Sequence, residues 1–337
     1  MKTIYGIQYL RAFAALAVVV FHAAEKTGHH FAIGAAGVDV FFVISGFIMW
    51  VISDRRPLTP LAFLVERIRR IGPVYWLATL VMVAGGLAGL FPNLVVTVQH
   101  LAASLLFIPA RSPSNGEIWP VLVQGWTLNF EIFFYLVFAL SLTLPRRFRL
   151  ATVAAFFVLL VLAGGLFETG NALFLTYTRP IMLEFVAGML IGQLWLTGRV
   201  PGPRTGMLLV AAALAGFAGL EIFKLPFDAF KCGPLAIALV SGILALEAAG
   251  KVGRWRPLAF LGDASYSVYI WHTFAISVLV KFGMAAGIGS GILFPAAVVA
   301  GVIAGSIAYV GLERPLTQLL RSNRPNTSPK AVQAKNA

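Results

Sequence analysis

Apolar stretches of about twenty residues recur from one end of the sequence to the other, separated by short polar runs rich in Gly, Pro and Arg. The pattern predicts membrane-spanning helices over 5–24, 37–53, 71–91, 126–144, 150–167, 179–197, 206–223, 232–249, 258–281 and 290–311. About twenty apolar residues in a helix match a hydrocarbon core about 30 Å thick. The stretch 95–109 is shorter, and the Pro/Ser/Gly-rich run 109–116 follows it. Residues 95–125 therefore read as a re-entrant or interfacial element, which must be buried in protein or line a wet cavity. The expected fold is all-α: a polytopic transmembrane helix bundle of ten spans. One membrane domain over 1–320 is followed by a disordered basic tail over 321–337.

Composition agrees. The chain has 337 residues, of which 59% are hydrophobic and 12% charged, about half the charged share of a soluble domain. Arginine and lysine decide orientation. With a cytoplasmic N-terminus and 95–125 not crossing, the inner loops collect Lys2, Arg55, Arg56, Arg67, Arg69, Arg70, Arg146, Arg147, Arg149, Arg199, Arg204, Lys251, Arg254, Arg256, Arg314 and the basic tail. The outer side keeps only Lys26, Arg111, Arg179, Lys224, Lys231 and Lys281. Positive-inside bias favours this arrangement, with both termini cytoplasmic. It also accounts for the net charge of +13 without nucleic acid. The single cysteine, Cys232, excludes an intrachain disulfide and a cysteine-based metal site. His29 and His30 lack acidic partners at helical spacing, so no metal is expected. Lys2, the apolar run 12–21 and Ala23-Ala24 have the outline of a signal peptide, but the segment reads better as a retained first span.

Candidate chemistry lies inside the spans. Arg11 and His22 stand eleven positions apart on the first helix, about three turns or 16 Å along one face. An ionisable group at the centre of a membrane helix costs on the order of 2.5–3.5 kcal/mol, so two on one face suggest a polar path. His22 falls in the outer layer, where Asp39, Glu131, Arg179 and Glu184 are also expected. Arg179 could pair with Asp39 or Glu184. At the inner face, Arg67, Arg69 and Arg70 precede Tyr75 and suit either lipid headgroups or a phosphate-rich ligand, since guanidinium forks bind phosphate bidentately. Ser265, Tyr269 and His272 fall at i, i+4 and i+7, one polar stripe on the ninth span.

These residues resemble the integral-membrane acyltransferase-3 family. Arg11 and His22 match its Arg-x10-His element, and Gly37 to Phe47 is similar to its second-helix signature. Arg67 to Pro73 looks like its Arg-rich motif, with Arg69 added. Trp126 to Glu131 resembles Trp-Ser-Leu-x-x-Glu, with Thr127 for Ser. Ser265 to His272 resembles Ser-Tyr-Ser-x-Tyr-x-x-His, and Glu313 to Pro315 resembles a closing Glu-x-Pro. The first two elements look closest to the exopolysaccharide-production branch.

The resemblance implies a multi-pass protein of the bacterial plasma membrane that moves an acyl group, by default acetyl, from cytoplasmic acyl-CoA to a hydroxyl of an extracytoplasmic or lipid-linked saccharide. Acyl-CoA would be a co-substrate, with no permanently bound cofactor. Arg11, Arg67, Arg69, Arg70 and Tyr75 would hold it. His22 would act as general base, with Glu131 or Asp39 fixing its tautomer, and an acyl-histidine route fits the same residues. Trp126, Arg179, Ser265, Tyr269 and His272 would line the cavity. Expected partners are acyl-CoA, the saccharide and membrane lipids; a homo-oligomer is left open. Some members carry a C-terminal extracytoplasmic esterase-like domain, which this chain is expected to lack. The rival reading is a transporter or flippase for a saccharide lipid, which would need no CoA.

Overall fold

The structure is a computed structural model and describes residues 3–56, 58–226 and 228–322. Ten of its helical segments are long and apolar enough to cross a membrane, matching the ten expected spans. The spans are α1 (Tyr5–Thr27), α2 (Gly37–Arg55), α3 (Pro60–Leu87), α5 (Trp126–Ser141), α6 (Arg146–Leu166), the pair α7 (Ala172–Tyr177) and α8 (Met182–Leu196), α9 (Pro203–Ile222), α10 (Ala229–Ala248), α11 (Arg256–Ala285) and α12 (Ser290–Ala308). No strand occurs among the described residues. Lys2 and the predicted tail beyond Ser322 lie outside them.

Three boundaries differ from the sequence reading, each for a local reason. The third span begins at Pro60, not near 71. Thr59 caps it, its hydroxyl accepting from the Ala62 N–H at 3.3 Å, and Pro60 occupies the first turn, where a missing N–H costs nothing. Pro73 stays inside the helix. Arg67, Arg69 and Arg70 therefore stand on a helix and not in a loop. The sixth span is broken between α7 and α8, where Pro180 and the conformational restriction of the residue before it interrupt the helix. Arg179 sits in that break, exposed. Finally, 95–125 contains a single α-helix, the eight-residue α4 (Val98–Leu105), and a 3-10 turn at Val123–Gly125; α4 is about 12 Å long and too short to cross.

This short element is pinned to α3. Tyr75 donates from its hydroxyl to the Ser104 carbonyl at 3.2 Å, and Trp76 Nε1 donates to the Leu105 carbonyl at 2.8 Å. His100 Nε2 meets the Trp119 carbonyl at 2.8 Å, which gives His100 a structural role that spacing did not suggest.

The bundle is organised by close helix pairs: α1 with α11, α2 with α8, α9 with α10, and α11 with α12. Lipid supplies no hydrophobic drive between helices, so tight packing of small residues takes its place. At Gly46 an added Cβ would overlap the Phe185 carbonyl, and at Gly188 one would overlap the Val43 carbonyl. Ends are satisfied across the bundle as well. The first N–H groups of α1 donate to Glu247 of α10, Gly6 N at 2.7 Å and Tyr5 N at 3.2 Å, a carboxylate at the positive end of a helix. Asp54 at the end of α2 forms an ion pair with Arg146 at the start of α6. After α12 a single π turn, Tyr309–Glu313, leads into α13 (Arg314–Ser322) and turns Glu313 inward, where it accepts from Ser267 Oγ at 2.7 Å.

Candidate active site

Two cavities share a rim of arginines. The first is a polar basin of about 1280 Å³, open space at its mouth included, between the N-terminal part of α1, α3, α11 and the chain around the π turn. Gln8, Arg11, Arg67, Arg69, Arg70, Asp263, Glu313 and Arg314 are among its walls. The second, of about 790 Å³ on the same measure, runs into the bundle. Arg11, Arg67 and Arg70 line both. Beyond them the inner cavity is apolar on the α2 side, with Val38, Phe41, Phe42, Ile44 and Met49, and polar where Ser45, Thr127, Glu131, Tyr135, Ser265 and Tyr269 meet. A stretch of 3.6-residue periodicity on α3 places Arg67 and Arg70 one turn apart on the same face, which is how one helix serves both chambers.

Glu131 does not face His22. Its Oε1 accepts from Ser45 Oγ at 2.9 Å and from the Tyr135 hydroxyl in a short hydrogen bond. Tyr135 lies one turn after Glu131 on α5, so local helix geometry sets that contact. Asp39 interacts with Glu184 across the α2–α8 contact, with both residues buried. Neither carboxylate is the partner expected for the imidazole.

That partner is Glu25. Its Oε2 lies 3.3 Å from His22 Nδ1, one turn along α1. A carboxylate can only accept, so Nδ1 carries the proton and Nε2 is left with a free lone pair. His272 is arranged in the same way. Its Nδ1–H donates to the Val268 carbonyl at 2.9 Å, while its Nε2 is buried without a partner. The two rings lie 5.2 Å apart, centroid to centroid. Two bare nitrogens cannot hydrogen-bond to one another; they suit a hydroxyl-bearing ligand. Imidazole backed by carboxylate is a general-base arrangement.

Tyr269 stands between the cavity and this pair. It lines the inner cavity, and its ring lies 6.2 Å from His272 and 6.2 Å from Phe41. Its hydroxyl donates to the Gln124 carbonyl at 3.2 Å and accepts from Thr127 Oγ1 at 3.1 Å. Gln124 in turn donates to Thr273 Oγ1 at 2.8 Å. Tyr269 and Thr127 line the inner cavity, and His272 lies between Tyr269 and His22.

Of the residues singled out in the sequence, Arg11, Arg67, Arg70, Glu131, Ser265 and Tyr269 share the inner cavity, and Arg69 joins Arg11, Arg67 and Arg70 in the basin. His22 and His272 form their own pair beyond Tyr269. Tyr75 is fully buried against α4 and lines neither cavity, because its hydroxyl is used by Ser104. Trp126 and Arg179 also line neither; Trp126 packs edge-on against Phe130, and Arg179 is held outside by the Pro180 break. The expected single polar layer is therefore three separate sites. Glu25 was missed, although its spacing of three from His22 was visible in the chain.

Residues 4–311 match the acyltransferase domain of the acyltransferase-3 family. The chain is 62% identical to the exopolysaccharide production protein ExoZ of Rhizobium meliloti (strain 1021), over 91% of this chain and 96% of that one. It is 29% identical to a putative membrane-bound transacylase, BcsY, of Komagataeibacter xylinus, over 79% of this chain and 71% of that one. It is also 29% identical to a putative peptidoglycan O-acetyltransferase, YrhL, of Bacillus subtilis (strain 168), over 80% of this chain and 48% of that one. No solved structure matches significantly. With ten membrane-crossing helices and a family match over nearly its whole length, the chain belongs to the acyltransferase-3 family of multi-pass membrane acyltransferases.

Proposed function

We propose that this protein transfers an acetyl group from cytoplasmic acetyl-CoA to a saccharide hydroxyl on the opposite side of the membrane, with His22 as general base. The observation that carries this reading is the arginine rim shared by a polar basin and an inner cavity lined by Tyr269, whose ring lies 6.2 Å from His272 of the His22–His272 pair. The 3′-phosphate and pyrophosphate of CoA suit the basin, where Arg67, Arg69 and Arg70 present guanidinium groups. The pantetheine stem would pass Arg11 into the cavity and bring the thioester to Tyr269. The relative's involvement in exopolysaccharide production favours a polysaccharide as acceptor.

In the reaction, His22 Nε2 takes the proton of the acceptor hydroxyl as its oxygen attacks the thioester carbonyl. The C–S bond breaks, and the proton passes to the leaving thiolate, giving the ester and free CoA. Glu25 holds Nδ1–H and stabilises the imidazolium while it lasts. The Tyr269 hydroxyl must leave Gln124 for the thioester to meet His22, so the closed cross-link represents the resting arrangement.

Acetyl-CoA binding is checked by thermal unfolding of the purified protein. Ligand at about a hundred times its Kd stabilises by about 2.7 kcal/mol; an unchanged Tm at millimolar acetyl-CoA would remove the donor. Arg70→Ala is expected to raise the KM for acetyl-CoA about tenfold, the scale of one hydrogen bond to a charged group, with kcat nearly unchanged. Glu25→Gln keeps an acceptor for Nδ1–H but removes its charge. Its kcat is expected to fall about three- to tenfold with KM retained, measured under saturating donor.

A further inference from the structure

The inner cavity is lined by residues that carry buried polar atoms with no partner in the chain. Ser265 Oγ is fully buried and has no hydrogen-bond partner. A helical serine commonly returns its hydroxyl to the carbonyl four residues back, here Leu261, but this one does not. Arg67 Nε is also buried and unpartnered. The rest of that guanidinium has only the Met49 sulfur at 3.9 Å and the Phe63 ring at 5.9 Å. Both residues line the cavity with Glu131, whose carboxylate is held in place by Ser45 and Tyr135. Buried polar groups without partners are rare, and each calls for an explanation.

We infer that Glu131, Ser265 and Arg67 form an amide-binding rung across the inner cavity, which takes a secondary amide of the donor's stem. This rests on the donor reading above and deepens it. An amide needs one acceptor for its N–H and donors for its carbonyl oxygen. Glu131 on α5 supplies the acceptor; Ser265 on α11 and Arg67 Nε on α3 supply the donors. The apolar α2 wall, with Phe42, Ile44 and Met49, faces the methylene segments between the amides. An acyl-CoA stem alternates amide and methylene groups in this way, whereas a lipid chain offers no partner for the three polar residues. Glu131 is then a binding residue, not a tautomer-fixing one.

The test compares acetyl-CoA with adenosine 3′,5′-bisphosphate, a probe of the basin that has no stem. The wild type, Ser265→Ala and Glu131→Gln are titrated with each in detergent, and kcat and KM are measured with acetyl-CoA. Each variant is expected to bind acetyl-CoA about three- to tenfold more weakly, to bind the bisphosphate as the wild type does, and to keep its kcat. Equal weakening for both probes would mean a structural defect and overturn the rung. So would unchanged acetyl-CoA affinity, or a fall in kcat alone for Glu131→Gln. A wild type that binds the bisphosphate but gains nothing from the acetylated stem overturns the rung and leaves the basin standing. A wild type that binds neither ends the donor reading itself.

Discussion

His22→Ala is expected to lower acyl transfer about 10²- to 10⁴-fold, the range supplied by a positioned general base, while the protein still inserts and folds. The side chain stands near the C-terminal end of α1, about a quarter exposed, and packs beside Phe21 and against His272 of α11. Removing it leaves a small polar gap. It does not leave a buried charge, since Glu25 is largely exposed and can turn to water. The loss should therefore fall on kcat, with acetyl-CoA affinity retained, because in the proposed reading the arginine rim, and not His22, would hold the donor's phosphates. His22→Gln is expected to be as inactive, since an amide cannot take the proton. Measured turnover above about a tenth of wild type in either variant would assign the base elsewhere, His272 being the first candidate.

The second large effect is structural. Gly188→Leu is expected to abolish accumulation of folded protein. An added Cβ at Gly188 collides with the Val43 carbonyl and comes close to the Phe47 N–H, all backbone atoms of α2. A flexible neighbour can yield; two helix backbones cannot part without losing their contact along the whole pair. Overpacking a core costs about 1–3 kcal/mol where side chains can give way, and here they cannot. The reciprocal position, Gly46, meets the Phe185 carbonyl in the same way. By contrast Gly165→Leu, where open space surrounds the position, is expected to leave expression and Tm near wild type. Yields of monodisperse protein and thermal unfolding in detergent check the contrast.

Much of this architecture was legible in the chain, for a physical reason. Lipid requires each crossing to satisfy its own backbone, so ten apolar runs could only be ten helices. Charge placement likewise pointed to 95–125 as the stretch that does not cross, as the eight-residue α4 bears out. The basic run Arg67–Arg70 was harder to read. Three arginines looked like a loop, yet they stand on a capped helix whose guanidinium groups line the polar basin, Arg67 and Arg70 lining the inner cavity as well. The pairing of functional groups was less legible still. Glu25 to His22 and Glu131 to Tyr135 are contacts of one turn, open to inspection at i+3 and i+4. His22 with His272 and Tyr269 with Gln124 join residues more than a hundred positions apart, and only the packing of α1 and of the turn before α5 against α11 brings them together. Depth alone had gathered His22, Asp39, Glu131 and Glu184 into one layer, but shared depth does not make helix faces converge.

The sidedness of the reaction offers the most direct measurement. Membrane vesicles holding the protein and a deacetylated polysaccharide acceptor are prepared in both orientations, and radiolabelled acetyl-CoA is supplied in the medium alone. Inside-out vesicles, which on the proposed orientation would turn the Arg67–Arg70 face outward, are predicted to pass label to acceptor in the lumen, and right-side-out vesicles are predicted to pass none. Equal labelling in both orientations, or labelling only when donor and acceptor occupy the same compartment, would contradict transfer through the cavity.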